Sequence, residues 1–128
     1  MKITENFSLA EFMQPGRHGI ESCDYPAIWV ETRLRPLCVA LERLREALGG
    51  RAVHILSGYR SAVYNRAIEG ARASQHMEGL AADISVAGCK PAEVRAEVLL
   101  LQLAGVIRVG GLGSYETFTH VDMRLLPK

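Results

Sequence analysis

Ser74-Gln75-His76-Met77-Glu78-Gly79-Leu80-Ala81-Ala82-Asp83-Ile84 holds a histidine and an aspartate seven residues apart, and that spacing dictates how the chain around it must run. On one continuous helix the two side chains share a face yet stand about 10 Å apart along the axis, too far for ligand bonds of about 2 Å to one ion. The chain must therefore turn back between them if both are to meet a metal. Gly79 supplies the permissive backbone position, and Ala81-Ala82-Asp83-Ile84-Ser85-Val86 reads as a strand entering the core. Small residues beside Asp83 leave room for an ion. The stretch is expected to form half of a metal site, on a loop that becomes a strand.

A third ligand is expected near the other end, in Phe118-Thr119-His120-Val121-Asp122-Met123-Arg124, a second strand pattern. His120 and Asp122 fall on the same face, roughly 6.6 Å apart along the strand. One of them is expected to bind metal and the other to handle a proton.

The chain between and before these stretches supplies the scaffold. Residues 1–26 mix charges with Pro15, Gly16, Gly19 and Pro26, which predicts a loop-rich entry with one short helical turn near Ser8–Met13, where Ser8 and Glu11 fit a capping box. His18 there reads as a solvated loop histidine. From Ala27 to Leu48, Leu34, Leu37, Cys38, Leu41, Leu44 and Leu48 recur at helical spacing, and Gly49-Gly50 ends the helix. Pro36 delimits or kinks its start, Trp29 reads as core or groove lining, and Cys38 as a buried thiol. Ala52–Ser57 reads as a strand with His54 on a sheet face. Ser61 is placed to cap a short helix through Ile68 that Gly70 closes. Pro91 opens a second long helix, Ala92–Ala104, stopped by Gly105.

Val106–Val109 is expected to be a strand, with Gly110-Gly111-Leu112-Gly113-Ser114 as the hairpin turn into the His120 strand. No helix with lysine follows those glycines, so they do not read as a phosphate-binding loop. The order of elements favours an α+β fold in which a small antiparallel sheet packs with helices.

At 128 residues, 48% hydrophobic, the chain suits a single domain spanning 1–128 with one core. A formal net charge of +1 with no long basic or acidic run gives no electrostatic reason for a nucleic-acid partner or an anionic membrane. No stretch is long and apolar enough for an integral membrane segment, and the N-terminus lacks the apolar run of a signal peptide, so synthesis in the cytoplasm is expected. Cys23, Cys38 and Cys89 are odd in number and include no C-x-x-C pair, which argues against a disulfide framework or a cysteine zinc site. Oligomeric state is left open.

Two histidines and one aspartate leave tetrahedral zinc one open position, at which water becomes acidic near neutral pH. That is equipment for hydrolysis. Ser74 through Asp83 match the pattern S-x-H-x-x-G-x-A-x-D, and His120-Val121-Asp122 supplies a later H-x-D. With Ser57-Gly58-Tyr59-Arg60-Ser61, Asn65 and the opening Phe7-Ser8-Leu9-Ala10-Glu11-Phe12, the chain resembles the zinc D-alanyl-D-alanine carboxypeptidases and related phage endolysins over nearly its whole length.

The resemblance implies the fold shared with the hedgehog signalling domain and a peptidoglycan peptide substrate containing D-amino acids. By position it implies His76, Asp83 and His120 as zinc ligands, Arg60 as the cation steadying a developing oxyanion, and Ser74 as a substrate contact. The chain departs from better-known members where they often carry a carboxylate three residues before the last histidine ligand; Thr117 stands there. Glu116 is one residue away and is expected to point elsewhere, so Asp122 is the expected general base, with orientation of a ligand or a salt bridge to Arg60 or Arg124 as the competing role. A phage or prophage enzyme acting at the cell wall after release is the implied setting. The alternatives are a zinc-containing peptidoglycan-binding protein that does not cut, or a phage assembly component.

Overall fold

The computed structural model describes residues 1–13, 25–68 and 74–124. Pro15, Gly16, His18, Gly19, Cys23 and Gly70 lie outside the described residues. Four strands form the main sheet: β3 (Val53–Ser57), β4 (Ala81–Val86), β5 (Gly111–Ser114) and β6 (Thr119–Asp122). Their order is β3-β4-β6-β5 and every neighbouring pair is antiparallel. A separate two-stranded sheet pairs β1 (Lys2–Thr4) with β2 (Phe7–Ser8) at the N-terminus. The fold is α+β, as the order of sequence elements implies.

Strand periodicity divides the chemistry from the core. In β4, Ala82, Ile84 and Val86 join the apolar cluster, while Asp83 turns to the opposite face. Val121 of β6 joins the same cluster, and its neighbours His120 and Asp122 turn away from it. Helix α2 (Arg35–Ala47) adds Leu37, Cys38, Leu41 and Leu44 to this cluster, and α4 (Pro91–Leu103) adds Val94 and Val98. Burial pushes the Cys38 thiol up to about 12, which leaves it protonated and inert.

The long N-terminal helical run is broken in a specific way. Helix α1 (Ala27–Trp29) passes into a π-helical turn, Val30–Leu34, before α2 begins. The Arg35 N–H reaches the Val30 carbonyl five residues back, and Pro36, which has no N–H to give, follows at once. The proline thus marks a change of helical geometry. Helix α3 (Ala62–Ala67) is capped by Ser61, whose Oγ accepts from Tyr64 N–H at 3.1 Å, and Glu11 accepts from Ser8 N–H at 2.8 Å ahead of a 3₁₀ turn, Leu9–Phe12.

Two expectations fail. The β1–β2 hairpin was expected as loop, and Val106–Val109 as a strand. Val106–Val109 instead runs as an irregular link whose Ile107 and Val109 are buried, with Val109 N–H donated to Gln102 Oε1 at 3.0 Å. The strand is the glycine run itself, and the turn lies at Tyr115–Phe118, closed by Tyr115 N–H to the Phe118 carbonyl at 2.9 Å. A bulky β5 cannot lie beside β6: a Cβ at Gly111 would collide with the Asp122 carboxylate.

Leu41 is 2% exposed in the centre of the core. Leu41→Ala is expected to cost about 2–5 kcal/mol, seen in urea titration as a lower midpoint with an unchanged slope.

Candidate metal centre

Register brings the first two functional side chains together. Asp83 of β4 stands directly opposite His120 of β6, and directly opposed residues on one face hold their Cβ atoms about 4.5–5.5 Å apart. His120 Nδ1 accordingly lies 2.8 Å from Asp83 Oδ1. His76 arrives from the loop before β4, its Nε2 3.2 Å from the same oxygen. One donor atom from each of the three lies within 4.8 Å of the others. The two rings meet edge to face at 5.2 Å.

The loop turns back as the spacing demands. Met77, Glu78 and Gly79 N–H groups reach the carbonyls of Ser74, Gln75 and His76 in succession, and Gly79 then adopts φ +68°. A side chain there is strained by that conformation and obstructed as well, since a Cβ would sit 2.6 Å from Tyr25 Oη. Tyr25 donates its hydroxyl to the Gly79 carbonyl, and Arg33 donates to the Glu78 carbonyl at 2.5 Å while lying 3.9 Å over the Trp29 ring. Trp29, Arg33 and Tyr25 are therefore the backing of the metal loop, a role that the sequence reading missed for all three. Helical spacing of Trp29 and Arg33 was the available signal.

Each imidazole has its second nitrogen engaged. His76 Nδ1 is 2.7 Å from the Gly58 carbonyl oxygen. A carbonyl only accepts, so Nδ1 carries a proton there and Nε2 is the nitrogen turned toward the centre. His120 is reversed: Nε2 lies 2.8 Å from Asp122 Oδ2 and Nδ1 faces inward.

Asp122 was expected to reach the cleft as a base. Alternation does put it on the face of His120, but the structure seats it behind that ring with no exposure. Its oxygens accept from Arg124 Nε at 2.8 Å, Nη2 at 2.7 Å and backbone N–H at 3.1 Å, in addition to His120. Strand β5, with Gly111 directly opposite Asp122, covers it. Of the two roles weighed for this carboxylate, the geometry matches orientation of His120 and the Arg124 salt bridge.

Arg60 stands on the far side of Asp83, Nη2 3.5 Å from Oδ2, with Nε donated to Ser57 Oγ at 3.2 Å and Nη1 to Asn65 Oδ1 at 3.1 Å. Ser74 Oγ accepts from His76 N–H at 3.2 Å. Glu116 and Thr117 are exposed at the tip of the β5–β6 turn. A cleft of about 530 Å³ opens over the three donor atoms, lined also by Arg60, Ser74, Gln75, Tyr115, Phe118 and Arg124.

Charges within the site oppose its burial. Burial would raise the Asp83 pKa, but hydrogen bonds from His120 and His76 hold it at about 2. Burial would lower that of His120, but Asp122 and Asp83 carry it to about 9. For Asp122, burial is again outweighed, by Arg124 and His120, and the carboxyl is held well below the usual range. Two imidazole nitrogens and one carboxylate, converging beneath an open cleft, fit zinc with a place left for a reactant once the inward-facing nitrogens give up their protons.

A family model described as Peptidase M15 matches residues 5–122. Among curated proteins, none matches the chain.

Zinc bound through His120 would have to displace a proton from that ring, whose pKa is carried up to about 9 by Asp122 and Asp83. Asp83, at about 2, stays ionised near neutrality and adds no slope. Apparent zinc affinity should therefore rise about tenfold per pH unit between pH 6 and 8, measured by competition with a chromophoric chelator. A flat profile would remove His120 from the ligand set.

Proposed function

Because the chain belongs to the peptidase M15 family, we propose that it is a zinc metallopeptidase that hydrolyses peptide bonds involving D-amino acids in peptidoglycan stem peptides or cross-links. The observation that carries this reading is the convergence of His76, Asp83 and His120 donor atoms beneath an open cleft. Those residues would hold zinc through Nε2, Oδ1 and Nδ1 respectively. When bound, the metal supplies Lewis acidity toward a carbonyl and lowers the pKa of water.

The protein's own groups do the rest. Arg60, anchored on Ser57 and Asn65, offers guanidinium N–H donors at the cleft beside Asp83, where negative charge grows on a carbonyl oxygen. The Ser74 hydroxyl accepts from His76 N–H and keeps its own proton to donate to a substrate carbonyl. Asp122 holds the His120 ring in the tautomer that frees Nδ1, and Arg124 keeps Asp122 ionised. Proton transfer then falls to Glu116, exposed between the cleft-lining Tyr115 and Phe118, or to solvent. On this reading the protein acts at the cell wall, as a phage lysin does after release.

One observation favours a second reading, a zinc-containing recognition module that does not cut. Among the described residues lining the cleft, Asp83 is the only carboxylate, and it is a ligand.

The two are separated by incubating zinc-loaded protein with purified peptidoglycan and reading the products by mass spectrometry. Cleavage that is lost on chelation, restored by zinc and absent in His76→Ala is the expected result. Bound zinc with no cleavage of any fragment would select the recognition module, and full activity of a metal-free H76A protein would overturn both. Asp122→Asn is expected to weaken zinc binding about 10–100-fold while turnover at saturating zinc largely survives. The opposite pattern, normal affinity with turnover gone, would return Asp122 to the role of base.

A further inference from the structure

Arg124 ends the chain of contacts that runs outward from the candidate metal centre, and among the described residues its guanidinium is used on one edge only. Asp122 takes Nε and Nη2 in a side-on pair at 2.8 and 2.7 Å. A guanidinium carries five N–H bonds in one plane, so this pairing leaves both Nη1 hydrogens and one on Nη2, which together make a second edge. Among the described residues, Asp122 is the only hydrogen-bond acceptor for this side chain. The Arg124 side chain is 45% exposed although Asp122 is wholly buried, and it lines the cleft.

Three features make that edge a prepared site. The side-on pair and the backbone N–H bond to the same carboxylate already hold the arginine in place, so little rotamer freedom remains to be lost on binding. Two parallel N–H bonds match the two oxygens of a carboxylate in spacing and charge. The position is also close to the chemistry: Asp122 Oδ2 is shared by Arg124 Nη2 and His120 Nε2 at 2.7 and 2.8 Å. Nη2 therefore lies no more than about 5.5 Å from His120 Nε2, and an extended peptide advances about 3.3–3.6 Å per residue, so the guanidinium lies within a residue or two of the His120 ring that borders the centre. Apolar surface in the same cleft comes from Tyr115 and Phe118, whose rings stack at 4.7 Å and 15°.

We propose that Arg124 is a carboxylate-recognition residue, its open guanidinium edge binding a substrate carboxylate one or two residues from the scissile bond, so that the protein selects acidic over amidated peptides. The carboxylate is that of the peptide terminus or of an acidic residue beside it. This rests on the reading of the cleft as a peptide site.

The test measures binding, by calorimetry, of zinc-loaded protein to the stem pentapeptide L-Ala-γ-D-Glu-L-Lys-D-Ala-D-Ala in three forms: free acid, C-terminal amide, and D-Glu α-amide. One amidation is expected to weaken binding to wild type about tenfold, and which one does so identifies the carboxylate. Arg124→Ala should bind all three forms equally while retaining zinc by metal analysis. Arg124→Lys, which keeps the charge without the fork, should show reduced discrimination and serves if the alanine variant loses zinc. Equal binding of the three forms to wild type, discrimination that persists in R124A, or no binding of any form would each overturn the proposal. Turnover is read separately: acid preference without cleavage sinks the peptidase and leaves Arg124 in place, and cleavage without acid preference does the reverse.

Discussion

The pairing of β4 with β6 is the constraint on which the rest depends. With Asp83 opposite His120, a carboxylate and an imidazole share one face within hydrogen-bonding reach of each other. A slip of one residue would send them to opposite faces and send Ile84 and Val121 out of the core, so the same register that buries the apolar residues assembles the centre. Packing energy thereby guarantees the geometry of a polar site. Only His76 has to be delivered by a loop, and that loop is held from behind by Tyr25, Trp29 and Arg33.

Behind the centre lies a buried charge that needs support of its own. Asp122 has no exposure, and a buried carboxylate without partners is strongly destabilising. Four donors meet it: one from His120 and three from Arg124. The arrangement is cooperative in the physical sense that each member fixes the orientation of the next. Its cost is imposed on β5, where only glycine at 111 leaves space for the carboxylate. Gly111 is thus a packing requirement of a charged residue on the neighbouring strand.

Much of this was legible in the sequence. Alternation located β3, β4 and β6, helical spacing located the two long helices, and the seven-residue interval between His76 and Asp83 forced the turn at Gly79. Alternation reports a face but not a depth, however, which is why Asp122 read as a cleft residue although β5 covers it. Glycine's poor strand propensity hid β5, since what makes Gly111–Ser114 a strand is a partner distant in sequence. The N-terminal hairpin was missed for a similar reason. Strands of three and two residues carry almost no periodic signal, and the Asn6 contacts to Glu42 at 2.7 and 2.8 Å that fasten it to α2 join residues far apart in the chain.

The π-helical turn at Val30–Leu34 acts as a phase shifter. An α-helix advances about 100° per residue, so on unbroken pitch Trp29, Arg33, Leu37 and Leu41 would follow one stripe drifting about 40° per step, whereas here Leu37 and Leu41 enter the core and Trp29 and Arg33 back the Glu78–Gly79 turn. The wider turn inserts the missing rotation within five residues. One helical run thereby serves as two differently aimed tools, a core helix at its C-terminal end and a clamp at its N-terminal end. Removing one residue from the turn would restore regular pitch and swing the clamp off its target while leaving the core helix where it is.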